Sequence, residues 1–124
     1  MTEIRRILQL EDDSLAAGVV GIVAKMHGVE VELTETIAQA KDALDGRGYS
    51  GLFNYKLLLL DMSLPDGRGA EIASLARQKG YEGRIVMFSG DLVSAKKATE
   101  HLDKIGYLEK PCDIKDLNRI IMEC

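Results

Sequence analysis

The sequence predicts an α/β fold: a doubly wound, five-stranded parallel sheet with five helices on its two faces. Three observations carry that expectation. The run Leu57–Leu60 is wholly apolar and ends on Asp61 and a turn rich in proline and glycine (LLLLDMSLPDGRG, residues 57–69). Such a run suits a strand covered on both faces, since a half-buried antiparallel strand would alternate. Strand-like and helix-like segments then alternate along the chain, the order that gives parallel strands joined by helical crossovers. Finally, 124 residues at 46 % hydrophobic content suit a single domain, taken as 1–124, with an ordinary core.

The elements follow in order. Arg6–Glu11 (RILQLE) reads as a strand, stopped by Glu11-Asp12-Asp13. Asp13 suits a helix N-terminus, where an acid meets the positive end of the dipole. In LAAGVVGIVAKMHG, Leu15, Val19, Ile22, Val23 and Met26 share a helical face, and Gly28 stands where a C-terminal cap belongs. Val29–Thr34 alternates, as a strand does. Thr36 and Gln39 have capping-box spacing before Ile37, Ala40 and Leu44. Residues 46–55 form a glycine-rich loop, with Tyr49, Phe53 and Tyr55 as candidates for a contact. Lys56–Leu60 is the third strand, and Pro65, Asp66, Gly67 and Gly69 shape the turn after it. Glu71–Lys79 reads as a helix closed by Gly80, and Arg84–Ser89 as the fourth strand. Leu92–Asp103 reads as a helix with Lys96, Lys97 and Glu100 outward, and Gly106–Glu109 as the fifth strand. Asp113 caps a last helix that turns Ile114, Leu117, Ile120 and Ile121 inward.

Right-handed crossovers leave few strand orders. Order 2-1-3-4-5 sets strands one and three side by side at the switch point, outside which ligands bind in open α/β sheets. Their C-terminal ends carry Glu11, Asp12 and Asp61, while strands four and five end near Ser89 and Lys110. Clustered carboxylates repel one another, by ~1 kcal/mol per pair at ~4 Å even in water. A hard cation such as Mg²⁺ relieves this and recruits phosphate oxygens. A carboxylate is also a nucleophile toward phosphorus, and phosphoryl transfer asks mainly for positioning and charge neutralisation. Lys110 and the Ser89 hydroxyl are placed to supply both.

Other classes fit less well. The net charge is −4 and the local basic pairs are Arg5-Arg6 and Lys96-Lys97, so no direct nucleic-acid footprint is expected. No apolar run reaches membrane-span length and the N-terminus lacks a signal-peptide layout. Trp is absent and aromatics make up 5 % of the chain, which removes the usual stacking surfaces. Cys112 and Cys124 have no metal-ligand spacing, and a reduced cytoplasmic compartment is the simplest reading. His27 and His101 read as surface or helix-end residues.

Four pieces in order, ILQLEDD, LLLLDMSLPDGRG, IVMFSG and YLEKP, make nearly the whole chain resemble the receiver domain of two-component response regulators, the CheY-like superfamily with its flavodoxin-like sheet. The resemblance implies a signalling domain that assists only its own phosphorylation and dephosphorylation, not an enzyme acting on other substrates. It implies that Asp61 accepts a phosphoryl group from a sensor histidine kinase or phosphotransfer protein, with Mg²⁺ held by Asp12, Glu11, Asp61 and the Ser63 backbone carbonyl. Ser89 and Tyr107 match the hydroxyl and the aromatic that move on activation, Lys110 the lysine that pairs with phosphate, and Lys110-Pro111 a cis bond. No residues follow the last helix for an effector domain, so output is expected by docking of a downstream protein on helix 92–103, strand 106–109 and helix 113–123.

The chain also departs from the family pattern. Gly90 stands where alanine is more usual, Cys112 replaces a phenylalanine and reads as a small apolar filler, and loop 46–55 is long. Gln9, polar within a buried strand, is expected near an edge or hydrogen-bonded. Competing readings are a receiver-like docking module that is never phosphorylated, a haloacid-dehalogenase-type phosphohydrolase, and a flavin-binding domain. The phosphohydrolase wants an aspartate where Ser63 stands. The flavin domain wants a hydroxyl-rich loop where this chain has acids.

Overall fold

The computed structural model of the chain describes residues 4–46 and 52–124. In chain order the elements are β1 (Arg5–Leu10), α1 (Ser14–Met26), β2 (Val29–Thr34), α2 (Ile37–Leu44) and β3 (Leu57–Asp61). There follow β4 (Ser63–Leu64), β5 (Gly67–Arg68), α3 (Gly69–Gln78), β6 (Arg84–Ser89), α4 (Leu92–Thr99), β7 (Ile105–Glu109) and α5 (Ile114–Met122). The main sheet runs β2-β1-β3-β6-β7 with every pairing parallel. That is the expected 2-1-3-4-5 order. The antiparallel hairpin β4–β5 lies outside it and is too short to show in a sequence pattern.

The leucine run divides its side chains between two cores. Leu57 and Leu59 pack with Ile7, Val20, Val23, Phe88, Leu117 and Ile121 on the side of α1 and α5. Leu58 and Leu60 pack with Ile37, Ala40, Ile72, Ala76 and Met87 on the other side. All four are fully buried. At ~1.5–3 kcal/mol for each buried leucine, β3 is the strand that holds the two layers together.

Four expectations need correction. In α1 the sheet takes Val20, Val23 and Ala24, while Leu15, Ile22 and Met26 are 76, 67 and 71 % exposed. Two apolar stripes overlap on this helix, and the one that includes the small side chains Ala16 and Ala24 is the one packed on the core. Ile114 is likewise exposed, at the start of α5, whereas Leu117 and Ile121 are buried. Helix α4 stops at Thr99 instead of reaching Asp103. There the Leu102 N–H bonds back to the Thr99 carbonyl, and Lys104 adopts φ +56°. Gln9 sits on β1, inside the sheet and not at its edge, and its side-chain amide makes no hydrogen bond among the described residues. In the 46–55 loop, Tyr55 is buried in the core. The readings on Tyr49 and the Phe53 side chain fall outside the described residues.

Several local expectations hold. Asp13 is the N-cap of α1, His27 its C-cap, and Gly28 follows at φ +66°. Asp113 caps α5. The Lys110-Pro111 bond is cis.

At the N-terminal edge of the sheet, Arg77 fastens two loops together. Its guanidinium donates to the carbonyls of Tyr81 (2.8 Å), Gly83 (2.8 Å), Asp103 (3.1 Å) and Lys104 (3.1 Å). Beside it, the buried Tyr81 hydroxyl donates to the Tyr55 carbonyl at 2.8 Å. Burial pushes the Tyr81 phenol up to about 12, against the pull of Arg77. The folded pKa lies above the unfolded value, so the phenol's contribution is complete below pH 10 and is lost as pH rises from 10 toward 12. Over that window wild type should lose about 2–3 kcal/mol more stability than Tyr81→Phe. Urea midpoints of the two proteins, measured across that range, check it; parallel curves would refute it.

Candidate functional site

The C-terminal edge of the sheet gathers the acids. Asp61 ends β3 opposite Phe88 of β6, and the Glu11 N–H continues β1 by bonding the Thr34 carbonyl at 2.9 Å. Glu11, Asp12 and Asp61 each offer a carboxylate oxygen, and these oxygens lie within 4.8 Å of one another. Glu11 is buried, Asp61 nearly so, and Asp12 open to solvent.

Lys110 reaches this cluster from beyond β7. Its backbone N–H bonds the Ser89 carbonyl at 2.8 Å, which fixes its base. Its Nζ stands 2.6 Å from Glu11 Oε1 and 3.5 Å from Asp61 Oδ2, and 4.9 Å from the centroid of the Phe88 ring. Burial disfavours the ammonium, but the two carboxylates outweigh it and hold its pKa above the ordinary lysine value. Burial pushes the Glu11 carboxyl up to about 7; Lys110 pulls it down and Asp61 pushes it further up. One cation thus serves a cluster of three acids, and one of those acids is held against its preference for water.

The turn after Asp61 is tightly built. The Gly69 N–H bonds the Met62 carbonyl at 2.9 Å, and a Cβ on Gly69 would fall 1.8 Å from the Asp61 carbonyl oxygen. At the tip, Asp66 does more than shape the turn: its carboxylate accepts from the N–H groups of Ile37 (2.8 Å) and Ala38 (3.1 Å). Thr36 accepts from the third, Gln39, at 3.1 Å. The first three N–H groups of α2 are therefore capped, two of them by a residue from another segment. These bonds, the Ile37 N–H first, hold the Asp66 pKa below the usual carboxylate value. Spacing could not reveal this role, because the cap comes from 29 residues away. Asp66→Ala should lower the melting temperature, as loss of an N-cap does, and should speed hydrogen exchange at Ile37 and Ala38; unchanged exchange would exclude the cap.

The remaining candidates are placed as follows. Ser63 opens the hairpin two residues beyond Asp61. Ser89 ends β6, and its Oγ accepts from the Asp91 N–H (3.0 Å) and donates to the Asp91 carbonyl (3.2 Å). Tyr107, on β7, is half-buried, with its hydroxyl 2.6 Å from Thr99 Oγ1 of α4. Lys96, Lys97 and Glu100 face outward. Cys112 and Cys124 pack against the core beside α1 and α5, and burial keeps both thiols protonated beyond the ordinary range. His27 bonds Asn118 Oδ1 through Nε2 at 2.6 Å, joining α1 to α5.

The acid trio fits a small hard cation. Its oxygens span little more than the ~4.2 Å between opposite ligands of octahedral Mg²⁺, the exposed Asp12 leaves room for water, and burial, with Asp61 beside it, holds the Glu11 pKa high, a cost that a bound cation would relieve.

A doubly wound sheet with an aspartate at the mouth of its central strand, two acids beside it and a lysine across from it is the layout of a phosphoacceptor signalling domain. A family model described as the response regulator receiver domain matches residues 7–122, and the chain belongs to that family of two-component signalling domains. It is 24 % identical over 119 residues to the photosynthetic apparatus regulatory protein RegA of Rhodobacter capsulatus, covering 95 % of this chain and 61 % of RegA. It is 28 % identical over 114 residues to the transcriptional regulatory protein BasR of Escherichia coli, covering 91 % of this chain and 49 % of BasR. The chain thus spans about half of BasR and three-fifths of RegA. Among solved structures, a CheY-like receiver domain protein from Methanospirillum hungatei superposes with a TM-score of 0.78 at 25 % identity, covering 97 % of this chain and 92 % of that one. Among the described residues, no helix is long and apolar enough to cross a membrane.

Proposed function

We propose that the chain is a phosphorylation-switched receiver domain, spanning 1–124, that takes a phosphoryl group on Asp61 from the phosphohistidine of a kinase or phosphotransfer protein. The observation that carries this reading is the position of Asp61, at the end of the buried central strand, 3.5 Å from the Lys110 ammonium and beside Glu11 and Asp12. An Asp61 oxygen attacks phosphorus; the new P–O bond forms as the P–N bond to the donor imidazole breaks. The electron pair leaves on the imidazole nitrogen, which takes up a proton from the medium. Lys110 neutralises charge on the phosphoryl oxygens, and Ser89, at the end of the neighbouring strand β6, donates its hydroxyl to them. Asp12, Glu11, Asp61 and the Ser63 carbonyl would hold Mg²⁺, which supplies charge neutralisation and alignment when bound. Output passes to a protein docking on α4, β7 and α5, where Lys96, Lys97 and Glu100 are exposed.

Incubation with Mg²⁺ and acetyl phosphate tests the proposal. Mass spectrometry should show one added phosphoryl group, removed by hydroxylamine as an acyl phosphate is. No adduct, from acetyl phosphate or from any phosphohistidine donor, would point to a docking module instead. Mg²⁺ alone should raise the melting temperature, equivalent to ~1.4 kcal/mol at ten times the dissociation constant.

A further inference from the structure

Both hydroxyls expected to respond to the phosphoryl group end on the same helix. Ser89 exchanges two hydrogen bonds with Asp91, the N-cap of α4. Tyr107 meets Thr99, the last residue of α4. Thr99 is buried, and its Oγ1 lies 2.8 Å from the Ala95 carbonyl and 2.6 Å from the Tyr107 hydroxyl. A threonine hydroxyl has one proton, and a carbonyl only accepts. The Thr99 proton therefore goes to Ala95, and the Tyr107 O–H donates to Thr99. Tyr107 has committed its one donor to α4. The Lys96 ammonium, one turn back, stands 5.6 Å from the centre of the same ring, so α4 holds both the tip and the face of Tyr107.

We infer that Thr99 is a positioning residue of the switch: its hydroxyl holds Tyr107 against α4 as long as Asp61 carries no phosphoryl group. The inference rests on Asp61 as acceptor and on Ser89 and Tyr107 as responders. A phosphoryl group competes with Asp91 for the Ser89 hydroxyl and so loosens the N-terminal end of α4. The Tyr107–Thr99 bond at the other end is untouched by that competition. It must break before the ring can turn, and it therefore biases the equilibrium toward the unphosphorylated arrangement. A ligand that favours the other arrangement binds less tightly by that bias.

The test uses beryllofluoride with Mg²⁺ as a non-hydrolysed stand-in for the phosphoryl group, titrated by NMR at the Asp61 and Lys110 amides. Thr99→Val keeps the shape of the side chain and removes the hydroxyl. It should bind the probe about fivefold more tightly, the effect of one neutral hydrogen bond. Thr99→Ser, which restores the hydroxyl, should return to within about twofold of wild type. Tyr107→Phe removes the same bond from the other side; it should match Thr99→Val, and the double variant should gain nothing further. Tyr107→Phe also keeps the test decisive if Thr99→Val fails to fold. Unchanged or weaker probe affinity in Thr99→Val, with only the melting temperature altered, would make Thr99 a packing residue and overturn the inference. A wild type that ignores beryllofluoride altogether would instead overturn the acceptor reading, and this inference with it.

Discussion

Asp61→Asn will take up no phosphoryl group from acetyl phosphate in the presence of Mg²⁺, under conditions in which the wild type is labelled. The amide oxygen carries no negative charge to attack phosphorus and cannot form an acyl phosphate. The other acids are poorly placed to substitute. Glu11 is buried and paired with Lys110 at 2.6 Å, and Asp12 is exposed to solvent. The fold should tolerate the change. The amide keeps the size of the carboxylate it replaces and removes one of three clustered negative charges, so without divalent cations the variant should melt no lower than wild type. The pairing of intact stability with absent labelling is what identifies a nucleophile. Persistent labelling at full stoichiometry would move the acceptor to another acid.

Gly69→Ala should unfold or severely weaken the protein, although glycine to alanine at the first position of a helix is usually gentle. The added methyl would fall 1.8 Å from the Asp61 carbonyl oxygen and 2.9 Å from its carbon, both backbone atoms that no rotamer change can clear. Either α3 moves off the sheet or the end of β3 bends. The cost should reach or exceed the upper part of the ~1–3 kcal/mol range for overpacking, a fall of roughly 10 °C in melting temperature for a domain of this size. Labelling should fall as well, because the displaced atoms carry the nucleophile. Gly90→Ala is the control, since nothing lies within 4 Å of a Cβ there. It should melt within a few tenths of a kcal/mol of wild type. Calorimetry on both variants decides; equal melting temperatures would show that the close approach at Gly69 is not held in solution.

What the sequence made legible was set by short-range physics. The leucine run, the caps at Asp13, Thr36 and Asp113, and the glycines at 28 and 80 each act within a few residues, and each predicted its element. The acids at the strand ends were legible because strand order alone brings Glu11, Asp12 and Asp61 together. Features that depend on a distant partner were not. The buried face of α1 is the one with Ala16, Val20, Val23 and Ala24, and the apolar pattern is equally consistent with the other stripe. Past the early end of α4 the chain turns through Lys104 at φ +56°, and the carbonyls of Asp103 and Lys104 meet Arg77 of another helix. Asp66 read as a turn residue and nothing in the sequence pattern singled out Thr99, since the partners that give them their roles lie on other elements.

Arg77 has a consequence for where the molecule can breathe. One charged side chain crosses from α3 to four carbonyls in the two loops that lead into β6 and β7. Charge-assisted bonds of this kind contribute roughly twice what neutral ones do. At the opposite rim, the loop leaving β6 is closed by the pair between Ser89 and Asp91, a neutral hydroxyl against backbone. Stability in a folded chain is distributed unevenly, and partial openings begin where the closing bonds are weakest. On that rim Lys110 ties Glu11 and Asp66 caps α2, so the segment held only by neutral bonds is the short β6–α4 loop, a latch in an otherwise laced frame. Excursions from the native basin should start at that loop, beside the acids, and leave the loops held by Arg77 closed. A perturbation at Asp61 can then rearrange nearby loops without approaching the barrier to global unfolding.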